Sequence, residues 1–333
     1  MKNAVSLCLC AFLFGGTAMA EEPSYGARLE GFDYPFTTEI FNTISQNQPV
    51  EMAFMDIAAA QPNGRTVVLL HGKNFCAATW EGTIAALSDA GYRVIAPDQV
   101  GFCKSSKPEN YQYSFHALAH NTRALLDQRG IDRAIIVGHL MGGMLAARYT
   151  LMYPQDVETL VMVNPIGLED WKAKGVPYTP VGQGIENELK TTAESIRAYQ
   201  EKFYYNGQWR PEYDRWVSMQ AGIYRGEGRE IVARAQALTS DMVYTQPVVH
   251  EFGNIAVRTV LMIGQTDRTA PGAAAAPADV AGTLGNYPAL GKEAAERIPQ
   301  AELVEFAELG HSPQIQDPER FHAALLKALA EQK

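Results

Sequence analysis

The stretch "VGHLMGGMLAARY" (Val137–Tyr149) has the frame of a catalytic turn. In the order Gly138-His139-Leu140-Met141-Gly142, the middle position is the one that presents the nucleophile of a G-x-S-x-G turn. A serine there would attack a carbonyl carbon, and an aspartate would open an epoxide or haloalkane through an ester intermediate. Leu140 offers no hydroxyl, thiol or carboxylate. Taken alone, the glycines fit a tight strand-to-helix connection equally well. No His/Cys/Asp/Glu group has metal-ligand spacing, and neither a G-x-G-x-x-G nor a P-loop occurs. No metal, dinucleotide or nucleotide cofactor is therefore expected.

The elements around this turn follow from hydrophobic patterning. "TVVLLHG" (Thr66–Gly72), "YRVIAPD" (Tyr92–Asp98), "RAIIVGH" (Arg133–His139), "TLVMVNP" (Thr159–Pro165) and "RTVLMIG" (Arg258–Gly264) are short β-branched runs, the pattern of strands buried on both faces. "AELVEFAELGH" (Ala301–His311) closes the series. Amphipathic stretches at Thr79–Ala90, Phe115–Arg129, Gly142–Tyr153 and Pro318–Glu331 alternate with them as helices. Such alternation predicts an α/β fold: a mostly parallel, eight-stranded sheet flanked by helices. "PFTTEIFNTI" and "VEMAFMDIA" alternate like an antiparallel hairpin on one edge. The core is expected over 21–164 and 248–333. From 165 to 247 the rhythm breaks into a helical, aromatic-rich insertion that reads as a lid, with a peripheral subdomain as the alternative. Thr269–Gly291 is too rich in Gly, Ala and Pro to assign an element.

Composition narrows the partners. The 333 residues carry 28 Lys+Arg against 37 Asp+Glu and no basic run, so nucleic acid is not an expected partner. Lys2, "AVSLCLCAFLFGG" and "AMA" before Glu21 have the layout of a secretory signal over residues 1–20, too short to span a membrane. The remaining chain has no long apolar span, so a secreted or periplasmic product, off the membrane once the signal is removed, is expected. Oligomeric state has no signature here. Export leaves Cys76 and Cys103, an even count in an oxidising compartment, where a disulfide or two buried thiols would fit.

The chain resembles the α/β-hydrolase superfamily, in its lidded branch of small-molecule hydrolases. The likeness runs from about Phe36 to the C-terminus and rests on "LLHGKN", "DQVGFCKSSKP", "GHLMGG", "GQTDR" and "LGHSPQIQDPERF" in that order. The resemblance implies that Leu140 occupies the nucleophile position, that His311 is the base and that Asp267 orients it. Asp170 is the alternative acid. Backbone N–H groups of Met141 and of Lys73 or Asn74 would form the oxyanion hole. His71 is expected to brace its loop, His139 to pack behind the turn, and Asp98 to organise its own loop. In this superfamily the third and fourth strands are neighbours, which implies a Cys76–Cys103 disulfide between the loops leaving them.

Leucine cannot form an acyl-enzyme, and Ser105 and Ser106 follow a different strand. Without a nucleophile, only about 10³–10⁴ over water remains from binding and the oxyanion site. The residues fit a Ser-His-Asp type hydrolase of small, partly apolar esters or related carbonyl compounds, disabled at position 140. The alternatives are a pseudoenzyme that binds a small apolar ligand beneath the lid, and nucleophile-free general-base chemistry by His311 and Asp267.

Overall fold

Hydrogen bonding in the computed structural model, which describes residues 22–331, joins the strands into one eight-stranded sheet. The strands are β1 (Glu39–Ser45), β2 (Gln48–Ile57), β3 (Thr66–Leu70), β4 (Arg93–Pro97), β5 (Ala134–His139), β6 (Val157–Val163), β7 (Thr259–Gly264) and β8 (Ala301–Phe306). Their spatial order is β1-β2-β4-β3-β5-β6-β7-β8. β1 and β2 form the antiparallel edge, β2 pairs antiparallel with β4, and every other pairing is parallel. The signal-like residues 1–20 lie outside the described residues.

The β-branched runs are continuous because both faces of the sheet are covered. Val67, Leu69, Val94, Ala96, Ile135, Val137 and Val161 face one core, against Ile84 and Leu87 of α1 (Glu81–Asp89) and Phe321 and Leu325 near the C-terminus. The alternate residues, Val68, Leu70, Ile95, Ile136 and Leu160, face a second core with α2 (Phe115–Gln128) and α3 (Met141–Met152). This period-two division fixes register, since a one-residue slip would exchange the two faces. Each such side chain contributes roughly 1.5–3 kcal/mol on burial.

Between β6 and β7 the described chain has no strand. It runs through α4 (Val181–Glu188), α5 (Ala193–Tyr199), a π-helical turn at Gln200–Tyr204, α6 (Asp214–Arg225) and α7 (Arg229–Thr245). Most rings of this insertion pack on one another: Tyr205 stacks on Tyr213 at 3.8 Å, with Trp209 edge-on to both. Beyond β7 the Gly/Ala/Pro-rich stretch Thr269–Gly291 contains the short α8 (Ala278–Ala281) and enters α9 (Tyr287–Arg297), whose Leu290 and Ala294 are buried. β8 ends at Phe306, short of the run that extends to His311, because the chain turns there. The short α10 (Pro313–Gln316) precedes α11 (Pro318–Ala330), where the Asp317 side chain accepts from the Arg320 N–H and Pro318 starts the helix. Among the described residues no helix is long and apolar enough to cross a membrane.

Cys76 and Cys103 are joined by a disulfide with a Cα–Cα separation of 5.8 Å, tying the loops that leave β3 and β4. Replacing both cysteines by serine should lower the unfolding free energy by about 2–4 kcal/mol. Equilibrium urea unfolding of the two proteins measures this; equal midpoints would show that Asp98 and its hydrogen bonds hold these loops unaided.

Candidate functional site

The turn at Leu140 is a close approach of backbones. β5 ends at His139, Leu140 takes φ 57° and ψ −121°, and α3 begins at Met141. A Cβ at Gly138 would strike the Gly142 carbonyl, and one at Gly142 would strike the Leu70 carbonyl, so both positions require glycine. The left-handed φ costs a leucine on the order of 1–3 kcal/mol. Leu140 is 3% exposed, and burying such a side chain contributes roughly 2 kcal/mol, comparable with that strain. The loop after β3 closes directly on it, since a Cβ at Gly72 would lie 2.7 Å from the Leu140 Cβ.

Across the carboxyl ends of the strands, His311 and Asp267 meet. His311 Nδ1 is 2.7 Å from Asp267 Oδ2, and both side chains are wholly buried. Asp267 also accepts from the Asn164 side chain at 2.9 Å and from the Thr269 N–H at 2.7 Å. Three donors converge on this one buried carboxylate, and its contact with the ring sets the tautomer with the proton on Nδ1. His311 Nε2 then carries a free lone pair, and it has no partner among the described residues. This arrangement can receive a proton from a hydroxyl held in front of it.

Other sequence candidates fall into supporting positions. Among the described residues, the backbone N–H groups of Met141, Lys73 and Asn74 donate to no backbone carbonyl outside regular elements. The side chains of Lys73 and Asn74 point instead to the insertion: Lys73 Nζ to Glu188 at 2.8 Å, Asn74 Nδ2 to the Tyr204 hydroxyl at 2.8 Å. Asp170 sits with exposed His250 at 2.8 Å and binds the Lys172 N–H, and its carboxylate makes no bond to His311. Ser105 and Ser106 are occupied by backbone groups of Ala53, Asp98 and Glu51. Asp98 accepts from the Ala77 and Lys104 N–H groups and from Tyr34, joining three segments rather than one loop. Cys76, Asp98 and Cys103 approach within 4.8 Å, but the disulfide leaves no thiolate for a metal.

A cavity of about 260 Å³ lies between the turn and the insertion. Leu140, Lys73, Asn74 and Tyr204 line its inner end. Four aromatics of the insertion, Tyr178, Tyr199, Tyr204 and Tyr244, reach it. Tyr204 is wholly buried, its ring 4.8 Å from that of His311 and 5.3 Å from that of Phe75. His311 itself does not line the cavity. Sequence patterning missed Asn164, whose side chain bridges Asp267 and the Gly264 N–H. Its position after β6, immediately before Pro165, was the available signal.

Two further histidines are buried uncharged behind the site. His71 holds the Gly72 carbonyl with Nδ1 and accepts the Gln99 N–H at Nε2. His139 Nε2 donates to the His311 carbonyl at 2.8 Å. Burial lowers the pKa of both, and neighbouring His311 lowers that of His139 further. A group with a depressed folded pKa binds its proton on unfolding, so stability is full above about pH 6.5 and falls as acid is added. Unfolding free energy measured between pH 6.5 and 5 should therefore decline as acid is added, and His71→Asn should make the decline shallower. A flat profile would mean that these rings carry charge in the folded chain.

The family described as the alpha/beta hydrolase fold matches residues 65–318. A probable hydrolytic enzyme from Pseudomonas aeruginosa PAO1, of known structure, is 61% identical, covering 94% of this chain and 99% of that one with a TM-score of 0.92. Among curated relatives, epoxide hydrolase A of Mycobacterium tuberculosis is 37% identical over 32% of this chain, and the match spans only about a third (34%) of that protein. The 2-hydroxy-6-oxononadienedioate/2-hydroxy-6-oxononatrienedioate hydrolase of Paraburkholderia phymatum is 26% identical over 89% of this chain and 96% of that protein. With its sheet order, its strained turn and these matches, the chain belongs to the alpha/beta hydrolase fold family.

Proposed function

We propose that this chain is built for Ser-His-Asp type hydrolysis of small, partly apolar esters or related carbonyl compounds, and that Leu140 suspends the acyl-transfer step. The observation that carries the reading is the backbone of Leu140, at φ 57° and ψ −121°, opposite a buried His311–Asp267 pair whose Nε2 is unpartnered. A side chain on such a turn is lifted toward the base, and a structural loop has no use for the strain. In the hydrolytic reading, His311 takes the hydroxyl proton, Asp267 holds the ring with Nδ1–H inward, and the Met141 and Lys73 or Asn74 N–H groups receive the oxyanion. The insertion is the lid, and the cavity beneath it admits the substrate. The disulfide supports export, since such bonds persist in oxidising compartments.

The relatives named above span epoxide opening and cleavage of a dioate. Epoxide chemistry through an ester intermediate requires a carboxylate at 140, which leucine does not supply. General-base chemistry by His311 alone is disfavoured because that ring is wholly buried and does not line the cavity. The pseudoenzyme reading draws support from Leu140 forming part of the cavity wall.

Leu140→Ser should hydrolyse a short-chain p-nitrophenyl ester at least about 10³-fold faster than the parent chain, and adding His311→Ala should abolish the gain. The serine variant gives up roughly 2 kcal/mol of apolar burial, so circular dichroism must accompany the assay. If both proteins fold and neither turns over any ester, the hydrolytic reading is lost and ligand binding remains.

A further inference from the structure

The outer part of the cavity is not explained by carbonyl chemistry. Tyr178, Tyr199, Tyr244 and Asp241 line it, together with Lys73 at the inner end. Tyr178 and Tyr199 are 51% and 38% exposed, so these rings border solvent as well as the cavity. The Tyr178 and Tyr244 rings lie 5.7 Å apart, inclined at 45°. The Tyr178 hydroxyl donates to Asp241 Oδ1 at 2.9 Å, and Tyr244 is anchored on the Val176 carbonyl at 2.8 Å.

The charges here are unequal in their compensation. Lys73 and Asp241 are the charged residues lining the cavity. Lys73 is neutralised by Glu188, whose other oxygen accepts from Tyr224 at 2.5 Å. Asp241 forms no ion pair, and its Oδ2 has no hydrogen-bond donor among the described residues. Lys172 reaches the Thr245 carbonyl, one turn further along α7, rather than Asp241. The cavity therefore presents one uncompensated carboxylate beside tyrosine faces. That combination attracts a desolvated cation through charge and ring quadrupole together. The net charge of −9 on the whole chain steers cations in the same direction.

We infer that the outer cavity is a subsite for an alkylammonium group, formed by Tyr178, Tyr199, Tyr244 and Asp241. It rests on the hydrolytic reading only in taking this cavity as the substrate site, and it makes the preferred ligand an ester or amide bearing a cationic head. A carboxylate-bearing substrate would face Asp241 with Lys73 already paired, so dioates are excluded from the class.

Because Leu140 removes turnover, binding can be read on the chain as it stands. Isothermal titration would compare butyrylcholine, its uncharged isostere 3,3-dimethylbutyl butyrate, and the anionic monobutyl succinate. Butyrylcholine should bind about tenfold tighter than the isostere, with the anion weakest. Asp241→Asn, which keeps the size of the side chain, should bring the preference to within about twofold, and Tyr178→Leu should reduce it. Equal binding of cation and isostere, no binding of any of the three, or a preference that survives Asp241→Asn would overturn the subsite. The two readings fail separately. An inert Leu140→Ser with an intact cation preference removes the hydrolase alone; an active Leu140→Ser without the preference removes the subsite alone.

Discussion

The contact on which the site depends is backbone against backbone at the end of β5. Gly138 and Gly142 have no room for a Cβ because the Gly142 and Leu70 carbonyls occupy it. That approach forces the residue between them into φ 57° and sets the start of α3 against the loop after β3. With the turn fixed, Leu140, Lys73 and Asn74 come to the same end of the cavity. The geometry is imposed by the sheet and its glycines rather than by the side chain at 140.

This explains how a leucine is tolerated. Its strain and its burial are of similar size, so the two offset each other in stability. A leucine at positive φ is strained by itself; the cavity wall and Gly72 beside it supply the compensating contact. The remainder of the site is undisturbed: Asp267 keeps its three donors, and His311 keeps an unpartnered Nε2.

The sheet was legible because both of its faces are covered, which writes each inner strand as an unbroken β-branched run. α9 was not, since Pro288 and Gly291 in its first turns look like loop residues, whereas packing of Leu290 and Ala294 holds it helical. Asp267 and His311 were legible through position after β7 and β8. Asn164, Glu188 and Asp241 were not, because each acts through a partner about forty to a hundred residues away and carries no local pattern. The outer tyrosines had the same difficulty: an aromatic in a helical insertion looks alike whether it fills a core, as Tyr213 does, or lines a cavity, as Tyr244 does.

The loop after β3 shows how the insertion and the core act as one site. Four consecutive residues are each held from outside the loop: Lys73 by Glu188, Asn74 by Tyr204 and Gln220, Phe75 by stacking on Tyr204, and Cys76 by Cys103. In the hydrolytic reading proposed above, this loop carries oxyanion donors and must not relax when charge develops, since reorganisation then would cancel the stabilisation. A backbone loop alone lacks that stiffness. The insertion supplies it on one side and the disulfide on the other. Tyr204 performs both tasks at once, because the ring that packs against Phe75 also covers His311. In that reading, lid position, oxyanion geometry and shielding of the base are coupled through one buried side chain, and displacement of Tyr204 would loosen all three together.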